Sequence, residues 1–229
     1  MTFADHIIEF NKNIVFKGHL PKGIRIMNPF QDNPEIIGVM EQFYKKFYDD
    51  KALRRAIFGI NPGRLGSGST GVPFTDTKRM YDQCGITIKG FKTHEPSSVF
   101  IYDVIDAYGG VKKFYKKFYF TSVCPLGFTM EQPGGKEINY NYYDSTALTK
   151  AVYSFIVESI RTQLAWNLDK DICYVMGTGK NAAFFEALNK KEQFFKKIIP
   201  LEHPRFVMQY KAKTKDLYID KYLSSLNGD

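Results

Sequence analysis

Asn61 is the first residue of this sequence whose type and position favour chemistry. It follows a short apolar run, residues 56–58, and precedes Pro62 and Gly63. A run of this length is typical of a buried strand, and a Pro-Gly pair turns the chain out of the sheet. The carboxyl ends of strands in an open α/β sheet face the ligand crevice, so this amide is a candidate for binding or catalysis. The same residues also form ordinary tight turns, and this stretch alone leaves both interpretations open.

Three further apolar runs end in a similar way. Ser122 stands near the end of an aromatic run, Gly177 follows the apolar residues 172–176, and His203 follows residues 198–201. If these strands are parallel, their carboxyl ends share one edge of the sheet, and the Asn, Ser and His side chains meet there. Such a set has no Cys-His dyad and no metal-binding cluster, which excludes most covalent and redox chemistries.

Segments with helical periodicity separate these strands and predict the fold. The predicted helices cover residues 3–10, 34–48, 97–108, 145–164 and 216–226. Asn33 followed by Pro34 is a helix start signal, and Ser145 is the predicted N-cap of the fourth helix. Strands that alternate with helices predict an α/β fold. We expect a three-layer αβα sandwich with a central four-stranded parallel sheet, formed by one domain over residues 1–229.

The segment that precedes the fourth helix is predicted as a surface loop. Residues 127–143 are polar and rich in turn residues, with Gln-Pro-Gly-Gly at 132–135. The tyrosines of this segment, Tyr140, Tyr142 and Tyr143, are candidates for stacking on unpaired bases.

The composition favours a polyanionic partner. The 229 residues carry a formal net charge of +8, and 16% of them are aromatic. Positive charge attracts nucleic acid, and flat aromatic side chains stack on unpaired bases. The three cysteines have no paired or metal-binding spacing, and no apolar stretch reaches the ~20 residues that span a bilayer. We therefore expect a monomeric cytoplasmic protein, of bacterial type and associated with the nucleoid, that needs no membrane, metal or cofactor.

The glycine-rich turn after residue 176 is a candidate anion site. Residues 177–181 read Gly-Thr-Gly-Lys-Asn and precede an alanine-rich helical segment. Glycines that open a helix expose backbone N–H groups and the positive end of the helix dipole, which suits a phosphate. The full P-loop pattern is absent, because no hydroxyl residue follows Lys180. An anion site and a plain strand-to-helix turn both remain open here.

Four segments, in order, resemble the motifs of one enzyme family. They are residues 59–74, with Gly-Ile-Asn-Pro-Gly at the start and Thr-Gly-Val-Pro-Phe at the end, residues 118–126, residues 177–181 and residues 198–206. These segments are similar to those of the single-strand-selective monofunctional uracil-DNA glycosylases, a branch of the uracil-DNA glycosylase superfamily. The resemblance implies the α/β fold predicted above and an enzyme that removes a damaged base from DNA.

The resemblance also implies roles for residues of the first and last motifs. By resemblance, Asn61 orients the attacking water and His203 donates a hydrogen bond to O2 of the leaving base. Phe74 stacks on the flipped base, while Ile60 and Gly63 belong to the base-binding pocket. In another branch of the superfamily a bulky tyrosine at the position of Gly63 excludes 5-substituted pyrimidines, so glycine leaves room for them.

Two positions depart from the family's pattern. The family has an asparagine that reads the amide edge of the pyrimidine, where this sequence has Ser122. A hydroxyl offers one rotating group in place of a fixed donor and acceptor, so a preference for uracil does not carry over. The family's His-Pro-Ser-Pro is shortened to His-Pro, so that Arg205 follows the proline directly. Arg205 and Phe206 are both candidates for the residue that wedges into the DNA stack, and Gly179 and Lys180 are candidates for contacts with the DNA backbone.

These observations predict a monofunctional DNA glycosylase of base excision repair. It is expected to hydrolyse the N-glycosidic bond of uracil, or of a related deaminated or oxidised base, in single- or double-stranded DNA. No lysine belongs to the matched catalytic motifs, so the expected product is an abasic site in an uncut strand. Ser122 and the shortened loop behind His203 leave an alternative, a non-catalytic protein that binds single-stranded nucleic acid on the same fold. A phosphate-binding enzyme that uses residues 177–180 is a third interpretation.

Overall fold

A computed structural model describes residues 1–228, which form two β-sheets and the helices around them. The strands are β1 (Ile24–Met27), β2 (Arg55–Gly59), β3 (Phe118–Ser122), β4 (Gly127–Glu131), β5 (Glu137–Tyr140), β6 (Ile172–Met176) and β7 (Lys197–Leu201). The helices are α1 (Phe3–Asn13), α2 (Pro29–Asp32), α3 (Pro34–Tyr48), α4 (Ser67–Thr70), α5 (Thr77–Asp82), α6 (Pro96–Tyr108), α7 (Val111–Lys117), α8 (Thr146–Leu164), α9 (Lys180–Glu192), α10 (Pro204–Tyr210) and α11 (Lys215–Asn227).

The central sheet is parallel, with the strand order β3-β2-β6-β7. Gly59 pairs with Ser122 at the ends of β2 and β3, and Met176 pairs with Leu201 at the ends of β6 and β7. The carboxyl ends of these strands therefore lie at one edge of the sheet. β2, β3 and β6 are almost wholly buried, as parallel strands covered on both faces usually are. The predicted central four-stranded parallel sheet is confirmed.

Helices cover both faces of the central sheet. Successive side chains of a strand point to opposite faces, and β3 shows what each face meets. The ring of Phe120 lies 5.4 Å from that of Phe114 in α7. The hydroxyl of Thr121 instead donates to Oε1 of Gln163 in α8, at 2.7 Å. α7 and α8 thus lie on opposite faces, which confirms the predicted three-layer αβα sandwich.

Hydrogen bonds confirm two of the predicted helix starts. The Asn33 side chain accepts from the Glu35 N–H at 3.0 Å, and Pro34 occupies the first position of α3. The Ser145 hydroxyl accepts from the Leu148 N–H at 3.1 Å where α8 begins. Each cap satisfies one of the N–H groups that a helix leaves unpaired in its first turn.

The prediction of a surface loop at residues 127–143 is wrong. This segment contains β4 and β5, which form an antiparallel sheet with β1 in the order β1-β4-β5. In β4, Phe128 pairs with Ile26 of β1 on one side and with Tyr140 of β5 on the other. The turn residues that suggested a loop form only the tip of the β4–β5 hairpin, where the Gln132 N–H donates to the Lys136 carbonyl at 2.8 Å. The pairing with β1, far earlier in the chain, leaves no local pattern in the sequence.

Candidate active site

A cavity of about 540 Å³ opens at the carboxyl edge of the parallel sheet. The residues predicted for the site all line this cavity: Ile60, Asn61, Gly63, Phe74, Ser122, Gly179, Lys180, His203, Arg205 and Phe206. They come from the segments that follow different strands, and a parallel sheet brings such segments to one edge.

The Asn61 side chain is held on both sides by backbone groups of a distant segment. Its Oδ1 accepts from the Tyr142 N–H at 3.1 Å. Its Nδ2 donates to the carbonyls of Tyr140 and Pro62, both at 3.3 Å. An amide oxygen has two lone pairs, so Oδ1 keeps one for a water molecule. The amide is therefore a fixed acceptor at the wall of the cavity.

The His203 ring is oriented by its own helix. His203 is the N-cap of α10, and its Nδ1 accepts from the Arg205 N–H at 3.1 Å. In the neutral ring the proton must then be on Nε2, which is a donor. Burial and the nearby Arg205 charge lower the His203 pKa to about 4, so the ring is neutral at physiological pH. His203 is thus a neutral hydrogen-bond donor.

Phe74 forms an aromatic wall of the cavity in a strained backbone conformation. Its φ is 52°, which lies in the left-handed region. A residue with a side chain has a higher conformational free energy in this region. The ring lies 5.5 Å from the Phe120 ring and 6.2 Å from the His203 ring. A Cβ on Gly59 would come within 3.1 Å of the Phe74 ring. The glycine at the end of β2 therefore lets this ring lie against the sheet edge.

Gly63 and Ser122 leave space on the wall of the cavity beside Asn61. A Cβ on Gly63 would meet only Nδ2 of Asn139, at 3.7 Å. Ser122 is buried at the end of β3. Ile60 also belongs to this wall, and its carbonyl accepts from the Cys124 N–H at 3.1 Å. This hydrogen bond continues the β2–β3 pairing past the strand ends. The backbone of this wall is fixed, while the side chains at positions 63 and 122 are small.

Tyr142 is a supporting residue, and the prediction that it stacks on bases is wrong. Its side chain is fully buried. Its hydroxyl donates to Oδ1 of Asn181 at 2.7 Å, and Nδ2 of Asn181 donates to the Met176 carbonyl at 2.8 Å. This chain of hydrogen bonds links the segment that holds Asn61 to the end of β6. Tyr143 lines the cavity, and Tyr140 is partly buried as the last residue of β5.

Glu95 lines the cavity, and sequence analysis missed it. It lies directly before α6, and its carboxyl group packs against the backbone of Gly66. Among residues 1–228, Oε2 of Glu95 is a buried polar atom without a hydrogen-bond partner. Burial and the Asp76 carboxylate raise the Glu95 pKa to about 7, against the opposing charge of Arg205. Pro96 at the first position of α6 is a helix start signal, and it gave no sign that Glu95 lines a cavity.

The rim of the cavity carries the groups expected to contact DNA. Gly179, Lys180 and Arg205 are exposed. No side chain of the described residues caps the start of α9, and an uncapped helix start favours a nearby anion. Phe206 is 41% exposed, and its ring lies 5.7 Å from that of Tyr210. Positive charge and an exposed aromatic ring therefore flank the opening.

The described part of the chain gives no geometry for a metal site. Residues 1–228 hold no group of three His, Cys, Asp or Glu side chains that could bind a metal ion. Within that range Cys84, Cys124 and Cys173 are buried free thiols, and burial raises the pKa of Cys84 to about 11 and that of Cys124 to about 12. No helix in the same range is both long and apolar enough to span a bilayer.

Comparison with known proteins identifies the family. The profile of the Uracil DNA glycosylase superfamily matches residues 45–227. The crystal structure of wild-type SMUG2 from Pedobacter heparinus is similar to this chain with a TM-score of 0.98 and 55% identity, over 100% of this chain and 98% of that one. Among curated proteins none matches this sequence. The likeness to SMUG2 agrees with the branch that the four motifs indicated, and this protein belongs to the uracil DNA glycosylase superfamily.

Proposed function

We propose that this protein is a monofunctional DNA glycosylase that hydrolyses the N-glycosidic bond of uracil or a related deaminated or oxidised base in DNA. The observation that carries the proposal is the meeting of a fixed amide acceptor and a neutral imidazole donor in one cavity. Asn61 supplies the acceptor and His203 the donor. Hydrolysis of an N-glycosidic bond needs a positioned water and a donor at the leaving base, and these two residues supply both.

The reaction joins water to the sugar and releases the base. As the bond between C1′ and the base nitrogen breaks, its electron pair leaves with the base, and the sugar gains positive charge. Asn61 Oδ1 accepts a hydrogen bond from the water whose oxygen bonds to C1′. The base departs as an anion, the proton lost by the water passes to solvent, and the anion later takes up a proton. The products are an abasic site and the free base.

His203 stabilises the departing base by hydrogen bonding rather than by proton transfer. Its Nε2–H donates to O2 of the base, where negative charge develops as the bond breaks. A preorganised donor of this kind contributes about 3 kcal/mol in a cavity that excludes water. Because its pKa is lowered to about 4, the ring is neutral and acts without a prior protonation step.

The base must leave the DNA stack to reach the cavity. Base flipping costs a few kcal/mol, and least for damaged or unpaired bases. Phe74 would stack on the flipped base, and the space beside Gly63 would accept a substituent at C5 of a pyrimidine. Gly179 and Lys180 would contact phosphates, and Arg205 or Phe206 would fill the gap in the stack. The protein would act as a monomer in the cytoplasm without metal or cofactor.

One observation favours a second candidate, a non-catalytic protein that binds single strands. The base-reading amide of the family is replaced by the buried Ser122, whose hydroxyl cannot present a fixed donor and acceptor together. Such a protein would bind DNA through the basic and aromatic rim of the cavity without cleaving a bond.

The deciding experiment uses purified protein and labelled oligonucleotides, single- and double-stranded, each with one uracil, 5-hydroxymethyluracil, hypoxanthine or xanthine. Strand scission that requires alkali would support a monofunctional glycosylase. An Asn61→Ala, His203→Ala double variant should give none and serves as the control for contaminating enzymes. Binding without scission on every substrate would replace the proposal with the second candidate. Thermal stabilisation by a nucleotide, without binding of oligonucleotides, would instead favour a phosphate-binding enzyme.

A further inference from the structure

Asn139 is a cavity residue outside the matched motifs. It lies on β5 and pairs with Thr129 of β4, so its backbone is held in the antiparallel sheet. Its Oδ1 accepts from the backbone N–H of Arg64 at 3.1 Å. A backbone N–H requires an oxygen, so the amide can take only one of its two orientations, with Nδ2 on the other side. The structure therefore fixes where this side chain presents its donor.

The Asn139 donor faces the open space beside Gly63. Nδ2 of Asn139 lies 3.7 Å from the point where a Gly63 Cβ would be, and both residues line the cavity. No acceptor within residues 1–228 takes a hydrogen bond from this Nδ2, whereas Nδ2 of Asn61 and of Asn181 donate to backbone carbonyls. Asn139 thus brings an oriented donor that the described residues leave unused.

We propose that Asn139 selects the base, by donating from Nδ2 to a carbonyl oxygen on the edge of the flipped base that faces Gly63. The inference rests on the proposed glycosylase function and assigns to Asn139 the choice between a deaminated base, which carries an exocyclic oxygen, and the undamaged base, which carries an amino group there. Deamination makes this exchange: cytosine N4 becomes uracil O4, and adenine N6 becomes hypoxanthine O6. A fixed donor pairs with the oxygen and opposes the amino group, which is itself a donor.

Ser122 does not make this distinction. Its hydroxyl rotates and either donates or accepts, so it satisfies a carbonyl and an amino group alike. The Asn139 amide cannot exchange its donor and acceptor in this way. Rotating it by 180° would place the donor Nδ2 beside the Arg64 N–H, which is also a donor. The small sheet β1-β4-β5 therefore supplies discrimination that the end of β3 lacks.

The test is Asn139→Asp, which keeps an oxygen for the Arg64 N–H and replaces the donor with an acceptor. Single-turnover rates are measured on single-stranded oligonucleotides with uracil, cytosine, hypoxanthine or adenine. Loss of one hydrogen bond predicts that the rates on uracil and hypoxanthine fall by about tenfold or more. The preference for uracil over cytosine should become smaller. Asn13→Asp makes the same chemical change on the exposed end of α1 and should change neither quantity.

The outcomes separate this inference from the proposed function. Wild-type protein that excises uracil, with Asn139→Asp retaining both the rate and the preference, would overturn the role of Asn139 and leave the glycosylase intact. Wild-type protein that excises no base would overturn both. Asn139 is exposed, so the variant should melt with the wild type. If Asn139→Asp melts at a lower temperature than the wild type, Asn139→Ala is tested in its place. A lower rate on uracil without a lower rate on cytosine would support the role of Asn139, and unchanged rates would refute it.

Discussion

Asn61 and His203 line one cavity, yet the chain holds them in different ways. Asn61 is bound by backbone groups of Tyr140 and Tyr142, which lie 79 and 81 residues later in the sequence. His203 is bound by the backbone of Arg205, two residues later. The amide thus depends on the packing of a second sheet against the first, whereas the imidazole depends on one turn of its own helix.

The orientation of the two side chains therefore depends on different parts of the fold. His-Pro-Arg contains both the side chain and its support, so the hydrogen bond that orients the ring forms within the start of α10. Asn61 needs β5 and the segment after it in place before its amide is fixed. Changes near residue 142 should therefore disturb Asn61 and spare His203.

The largest effect is expected for Asn61→Ala, which removes the acceptor that we propose for the attacking water. Loss of a group that positions a reacting water should lower the rate constant for uracil excision by about 10² to 10⁴. The measurement is single-turnover cleavage of a uracil oligonucleotide, with Asn13→Ala as a control on an exposed helix. An unchanged rate in a folded Asn61→Ala protein would remove the amide from the mechanism.

His203→Ala should lower the same rate constant by about 10² to 10³, since it removes the donor that we propose for the leaving base. His203→Gln returns an amide N–H near the position of Nε2 and should recover part of the loss. Equal rates for the two variants would mean that hydrogen bonding from this position does not matter. The ring is neutral well above its pKa of about 4, so the wild-type advantage over His203→Ala should be constant from about pH 6 to about pH 8.

Glu95→Gln tests how the charges around Glu95, those of Asp76 and Arg205, affect the free energy of unfolding. The Glu95 pKa is raised from an ordinary 4.5 to about 7 in the folded protein. As the pH rises above the unfolded pKa, the unfolded chain releases the proton first, so the wild type loses stability that the glutamine variant keeps. Glu95→Gln should be more stable by about 1–3 kcal/mol at about pH 8 and nearly equal to the wild type at about pH 4.5. Urea unfolding at both pH values measures this, and a gap independent of pH would contradict it.

The smallest effect belongs to Tyr142→Phe, which removes the hydroxyl that bonds Asn181. One lost buried hydrogen bond should lower the free energy of unfolding by about 1 kcal/mol. The backbone N–H that holds Asn61 remains, so uracil excision should slow only a few-fold, by looser placement of the amide. Combining this change with His203→Ala should give additive effects, because His203 is held by its own helix. Strong coupling between the two would break the comparison between the sides of the cavity.

Features with local signals were predicted well. Short apolar runs located the four parallel strands, and the alternation with helices predicted their common direction. Asn33 and Ser145 marked helix starts that hydrogen bonds confirm. The gathering of the predicted site residues in one cavity follows from the same topology, since parallel strand ends meet at one edge.

Features that depend on distant contacts were missed. The hairpin β4–β5 was predicted as a loop, because its turn residues are conspicuous and its partner β1 is remote. Tyr142 was one of three candidates for base stacking, whereas its hydroxyl is bonded to Asn181 in the core. Glu95 and Asn139 gave no signal, since a lone Glu or Asn has the same appearance on any surface.

Residue type and local order account for the strands, the helix caps and the orientation of His203, since each depends on interactions within a few residues. Packing of the small sheet against the edge of the large one decides how Asn61 is held and where Asn139 points its donor. The approach of Glu95, at the start of α6, to the backbone of Gly66 leaves its Oε2 buried without a hydrogen-bond partner among residues 1–228. Hydrogen bonds between segments far apart in sequence exist only after the chain has folded, and so these parts of the site belong to the tertiary structure.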